Sequence, residues 1–189
     1  MCIRDSFTIV RPADAAETAY AWLETLRRHE GPTGLVFSRQ NLPVLDRGDG
    51  KLAGAENTRF GGYVLADATG GSPQCILIAT GSEVNLALEA RTHLEAEGIA
   101  TRVVSMPSQE WFAQQSEEYR ESVLPSDVTA RVSVEAGLAL TWAPLLGSRG
   151  RAVSVEDFGA SADGVELLQR YGITAEAVIA AARESLAAN

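Results

Sequence analysis

Residues 75–90, "CILIATGSEVNLALEA", decide the fold. The first five are apolar without interruption, the pattern of a parallel strand covered on both faces. Gly81 and Ser82 break the run. Ser82 then stands where it would cap a helix over 83–97, with Val84, Ala87, Leu88 and Leu94 on one face and Gly98 just past its end. Strand, tight turn and helix together are the repeating unit of an open α/β sheet.

Outward from this stretch the same alternation continues. "YVLAD" from Tyr63 is a strand upstream, and "TRVVSM", closed by Pro107, is one downstream. A helical turn carrying "WF" and an acidic stretch, "SEEYRESVLP", follow. "ARVSVEAG" and "GRAVSVED" add two strands, separated by the apolar segment "LALTWAPLL". Asp163 and Thr174 are placed to cap the last two helices. Residues 62–189 are therefore expected to form a Rossmann-like α/β domain with a mostly parallel sheet. Residues 41–61, rich in Gly, Asp and Asn and without a sustained period, read as a linker.

Residues 7–40 form a separate strand–helix–strand piece. "FTIVRP" alternates as a strand does, and Pro12 ends it. Asp14 and Glu17 make a capping-box pair, and the helix after them is expected to bury Ala15, Ala19, Trp22, Leu23 and Leu26. Gly31 and Pro32 stop the helix, and "GLVFS" is a second strand with consecutive apolar residues. A lone strand–helix–strand has nowhere to bury two-sided strands. It reads as the incomplete end of a larger domain, held less firmly than 62–189. Residues 1–6, "MCIRDS", lack turn chemistry and periodicity and resemble translated sequencing-adapter DNA. They are set aside as a non-native scar, and the rest is read as a fragment.

Composition narrows the function. The hydrophobic share of 46% supports a core, and the net charge of −9 without a Lys/Arg cluster argues against a nucleic-acid or anionic-membrane partner. The longest basic run, Arg27-Arg28-His29, offsets the negative end of a helix dipole. No stretch has the roughly 20 apolar residues of a membrane span, and no signal peptide is visible, a cytoplasmic profile. Cys75 reads as a small core residue, with no disulfide framework around it. His29 and His93, each on an expected helix, have no second metal ligand at suitable spacing.

Three places invite chemistry. Gly48-Asp49-Gly50 could hold a metal bridging to a diphosphate, but its flanks offer neither the strand nor the helix that use requires, so it reads as a turn. The turn at Thr80-Gly81-Ser82 offers amides to an anion yet lacks G-x-G-x-x-G and a Walker lysine. Arg39, at the carboxyl end of "GLVF", stands where ligands bind in parallel α/β sheets, and a guanidinium there could grip a phosphate, although taken alone a surface arginine beside a helix or linker is the commoner explanation.

"VRPADAAETAYAW" and "GPTGLVFSRQNLPV" resemble the end of the pyrimidine-binding domain of transketolase. "ATGSEV", "RVVSMPS" and "FGASA" resemble its C-terminal domain, and the likeness runs in order through 7–187. The resemblance implies an enzyme of the pentose phosphate pathway. Such an enzyme moves a two-carbon ketol unit from a ketose phosphate to an aldose phosphate, using thiamine diphosphate and a divalent metal, Mg or Ca, as a homodimer. It implies that Arg39 grips the substrate phosphate. The family's catalytic, cofactor and metal residues would lie upstream of Phe7, so none is expected here, and the fragment alone is expected to be inactive. Where the family often has "DRFGASAP", this chain has "EDFGASADG", which touches only local surface contacts. The rival reading is a free-standing α/β interaction or ligand-binding module with the same C-terminal fold. It accounts for 62–189 but not for 7–40.

Overall fold

The structure is a computed structural model and describes residues 7–48 and 50–188; residues 1–6, expected from the sequence to be a non-native scar, Asp49 and Asn189 lie outside the described residues. The first unit is β1 (Thr8–Val10), α1 (Ala15–Arg27) and β2 (Thr33–Leu35), with β1 and β2 paired in parallel. The second contains β3 (Tyr63–Ala66), β4 (Cys75–Ala79), α2 (Val84–Ala96), β5 (Thr101–Ser105), α3 (Gln109–Ala113), α4 (Glu117–Val123) and β6 (Arg131–Val134). It ends with α5 (Ala143–Leu146), β7 (Arg151–Val153), α6 (Gly164–Arg170) and α7 (Ala175–Ala187). Its sheet has the order β3-β5-β4-β6-β7, and only β3 runs antiparallel.

β4 is the centre because it is apolar on both faces. Leu77 points with Val103 and Val132 toward Val84, Ala87 and Leu94 of α2 and Val178 and Ala182 of α7. Ile76 and Ile78 point the other way, with Val104, onto Met106, Phe112, Val123 and Trp142. Alternate side chains of one strand thus feed two separate layers. Asp163 and Thr174 cap α6 and α7 through their side chains.

Two local expectations need correction. Ser82 does not cap α2. A 3-10 turn over Gly81–Glu83 precedes the helix, and the Ser82 hydroxyl donates to the Glu83 carboxylate at 3.1 Å. His29 is not helical, because α1 ends at Arg27. Within the expected linker, a 3-10 helix spans Ala55–Phe60, and Leu45, Leu52 and Ala53 pack against the core.

The larger correction concerns α1. Its buried residues are Glu17, Ala21 and Glu24, while Ala15, Ala19, Trp22, Leu23 and Leu26 are exposed. Asp14 caps the helix as its position implies, and Glu17 reaches back to the Ala13 amide. The hydrophobic period located a real stripe, but that stripe faces away from the five-stranded sheet. Val36 and Phe37 after β2 are about half exposed and line a groove toward the second unit, with the Trp22 and Phe37 rings 6.5 Å apart. Among the described residues nothing covers the α1 stripe.

Exposure sets unequal mutational costs. Leu26→Gln should change the unfolding free energy by less than about 0.5 kcal/mol, whereas Leu77→Ala should cost about 2–5 kcal/mol. Urea denaturation of the two variants reads both, and equal losses would mean α1 buries its outer stripe in solution.

Candidate functional site

Arg39 lies four residues beyond β2 and is exposed. It lines a groove of about 350 Å³ between the two units, shared with Arg11, Ser82, Glu83, Gly159 and Tyr171. β2 places it there by pairing with β1, extended by the Val36 amide donating to the Val10 carbonyl at 2.9 Å. The opposite wall belongs to the second unit, where the Tyr171 hydroxyl donates to the Phe158 carbonyl at 2.9 Å and steadies the loop before α6. A planar guanidinium open to a groove can take a phosphate through two parallel hydrogen bonds.

The other cation on the groove is already committed. Arg11 Nη2 lies 2.9 and 2.8 Å from the two Glu83 carboxylate oxygens, and Nη1 lies 3.4 Å from Glu135 Oε1. Arg39 is therefore the groove's available positive charge.

The turn at Thr80-Gly81-Ser82 is closed to anions. The Gly81 amide and the Thr80 hydroxyl both donate to the Arg11 carbonyl, each at 3.1 Å. Gly81 has φ of +58°, and a Cβ there would meet Arg11 Nε at 2.8 Å, so both backbone conformation and space favour glycine. Around Gly48 and Gly50 the chain has neither strand nor helix, and the Asp46 carboxylate accepts from the Gly48 amide at 2.9 Å in a local turn. Among the described residues no cluster of three or more His, Cys, Asp or Glu could hold a metal. Burial pushes the Cys75 thiol up to about 12, which leaves it protonated and unreactive at neutral pH.

Sequence reasoning missed a buried polar knot joining the units. Glu17 accepts from the Tyr63 hydroxyl at 2.6 Å, the Ser105 hydroxyl at 2.7 Å and the Ala13 amide at 2.8 Å. Beside it, Asp14 accepts from the Arg47 guanidinium at 2.6 Å and the Leu45 amide at 3.0 Å. The capping-box pattern named both acids, but nothing local announces their distant partners. Burial pushes the Glu17 carboxyl above its ordinary value, only partly opposed by the hydrogen bonds from Tyr63, Ala13 and Ser105. A raised carboxyl means that the folded state holds this proton more tightly than the unfolded chain does. Its contribution is full below the ordinary carboxylate range and is lost as pH rises toward the raised value. Wild type should therefore lose stability relative to Glu17→Gln as pH rises from about 4.5, measured as urea midpoints across pH 4.5 to 8. A difference between the two proteins that does not vary with pH would refute this.

Comparison with known proteins places this geometry. The family model for the Transketolase-like TK C-terminal domain matches residues 61–174, more than half of the chain. Transketolase of Mycobacterium tuberculosis is 54% identical over 185 residues, covering 95% of this chain and 26% of that protein. The structure of transketolase from Leishmania mexicana superposes with a TM-score of 0.85 at 38% identity, over 96% of this chain and 25% of its own. A structure described as a split gene transketolase, inactive beta4 tetramer, gives a TM-score of 0.73 at 28% identity, over 96% of this chain and 58% of its own. The chain thus spans about a quarter of the length of the curated relatives it matches. No helix among the described residues is long and apolar enough to cross a membrane. With a mostly parallel sheet of this topology and a family match across most of it, the chain belongs to the transketolase family.

Proposed function

We propose that this chain is the C-terminal quarter of a transketolase, comprising the end of the pyrimidine-binding domain (7–40), a linker (41–61) and the C-terminal domain (62–189). The complete enzyme transfers a two-carbon ketol unit from a ketose phosphate to an aldose phosphate. It works in the cytoplasm as a homodimer with thiamine diphosphate and a divalent metal. The observation that carries this reading is the 54% identity to a transketolase along 95% of the chain. A match of that extent takes in most of 7–40 as well as the C-terminal domain, which a free-standing module would not require.

Within this enzyme Arg39 binds the phosphate of the sugar. The reading is supported by its place four residues past the carboxyl end of a parallel strand, its exposure to the groove, and the absence of any competing ion pair for it among the described residues. A dianionic phosphate on a guanidinium brings the substrate's far end to a fixed point and leaves the reacting end to other parts of the enzyme.

The residues described here do not fit the cofactor. A diphosphate–metal pair needs free amides at a helix start and a set of carboxylate or carbonyl ligands. The candidate amide at Gly81 is taken by the Arg11 carbonyl, and the glycine pair at 48 and 50 lacks both flanking elements. Ketol transfer is accordingly assigned to the complete enzyme, and this chain alone is inactive. The split-gene relative, described as inactive, is in keeping with this.

Isothermal calorimetry with thiamine diphosphate and magnesium should give no binding heat on the purified chain, and micromolar binding would overturn its assigned inactivity. In the complete enzyme Arg39→Ala should raise KM for phosphorylated sugars about thirtyfold, the equivalent of about 2 kcal/mol for a lost charge-assisted hydrogen bond. An unchanged KM would remove the role given to Arg39.

A further inference from the structure

The five-stranded sheet has a switch point. From β4 the chain crosses to β5 on one side and later returns to β6 on the other, so a crevice opens at the carboxyl ends of β4 and β6. In open α/β sheets that crevice is where ligands bind. Here a side chain from the other unit fills it. Arg11 follows directly on β1, and its guanidinium reaches Glu83, just beyond β4, and Glu135, which immediately follows β6. Nη1 also donates to the Thr80 carbonyl at 3.4 Å.

Every polar group of the Arg11 backbone is engaged with the second unit as well. Its amide donates to the Pro107 carbonyl at 2.8 Å, and its carbonyl accepts from Gly81 and Thr80. The two acids are built around it. The Glu83 side chain is 1% exposed, with its remaining hydrogen bonds coming from the Ala136 amide at 3.2 Å and the Ser82 hydroxyl. Glu135 turns its second oxygen to the Trp142 indole N–H at 2.8 Å. Without a cation between them, two neighbouring carboxylates would be left at the crevice, one of them buried and held only by neutral donors.

Arg11 also stands next to the strand pair that carries Arg39. The Val36 amide bonds to the residue immediately before Arg11, and Arg11 and Arg39 line the same groove. We propose that Arg11 is a positioning residue: bridging Glu83 and Glu135 at the switch point, it fixes the end of β2 and so the point at which Arg39 meets the sugar phosphate. The proposal rests on the reading of Arg39 as the phosphate ligand. It gives the crevice a use other than ligand binding, as the socket that aligns one domain on the other.

The test uses Arg11→Met combined with Glu83→Gln, which removes the pair without stranding a buried charge, and Arg11→Lys as the conservative variant. The complete enzyme is rebuilt by joining residues 7–189 to the N-terminal part of the M. tuberculosis relative. The double variant should raise KM for a phosphorylated ketose about three- to tenfold while kcat and KM for an unphosphorylated substrate stay within about twofold. Arg11→Lys should restore part of the loss. In an Arg39→Ala background the double variant should add nothing further, because it acts through Arg39. Equal losses on both substrates, or effects that multiply with Arg39→Ala, would overturn the proposal. A rise in KM with Arg39→Ala that the Arg11 variants do not share overturns it alone, whereas no rise with Arg39→Ala overturns the phosphate reading and this inference with it. On the 189-residue chain itself, the double variant should speed hydrogen exchange at residues 33–36 about tenfold and leave 76–79 unchanged. Unchanged exchange at 33–36 would show that Arg11 does not hold that strand.

Discussion

Burial of carboxylates at a seam is the constraint around which this molecule is arranged. Glu17 is fully buried on α1 and Glu83 is 1% exposed at the start of α2. Taking a carboxylate out of water costs several kcal/mol unless donors surround it. The arrangement is reciprocal. Glu17 of the first unit is satisfied largely by Tyr63 and Ser105 of the second, and Glu83 of the second is satisfied largely by Arg11 of the first. Sliding either unit by one residue would strand an acid on each side. An apolar seam could tolerate such a slip, but a hydrogen-bonded one cannot.

The seam occupies the place where a domain of this shape would open a ligand crevice. Its switch-point crevice holds Arg11, and the glycine turn after β4 gives the Gly81 amide to the Arg11 carbonyl. Fold and function separate at that point, as they do wherever a common architecture is reused. The chemistry this chain can offer lies instead on the groove beside the seam, where Arg39 is exposed and unpaired among the described residues. Under the function proposed above, its contribution to a transketolase is recognition of a charged group and alignment of domains.

The far side of the first unit shows the opposite physics. Trp22, Leu23 and Leu26 of α1 are between 39% and 68% exposed, a grouping that packing against a further element would cover. α1 thus has a polar face turned inward and an apolar face turned outward, the reverse of a surface helix on a complete protein. That reversal is what an internal helix of a larger sheet looks like when only one of its two neighbours is beside it.

The sequence by itself determined the order and type of most elements, the buried centre at 75–79, and the caps at Asp14, Asp163 and Thr174. These follow from interactions within about four residues, or from an unbroken apolar run. Only the tertiary structure decided which face of α1 turns inward, since the inward face carries Glu17 and Glu24 and the Glu17 donors Tyr63 and Ser105 lie far along the chain. It likewise decided that Ser82 serves Glu83 instead of capping α2, because that acid is recruited by Arg11. The Arg11 contacts to Glu83 and Glu135 span 72 and 124 residues of chain. No periodicity reaches so far: a buried charge finds its partner through the packing of sheets, and the sequence records only that both partners exist.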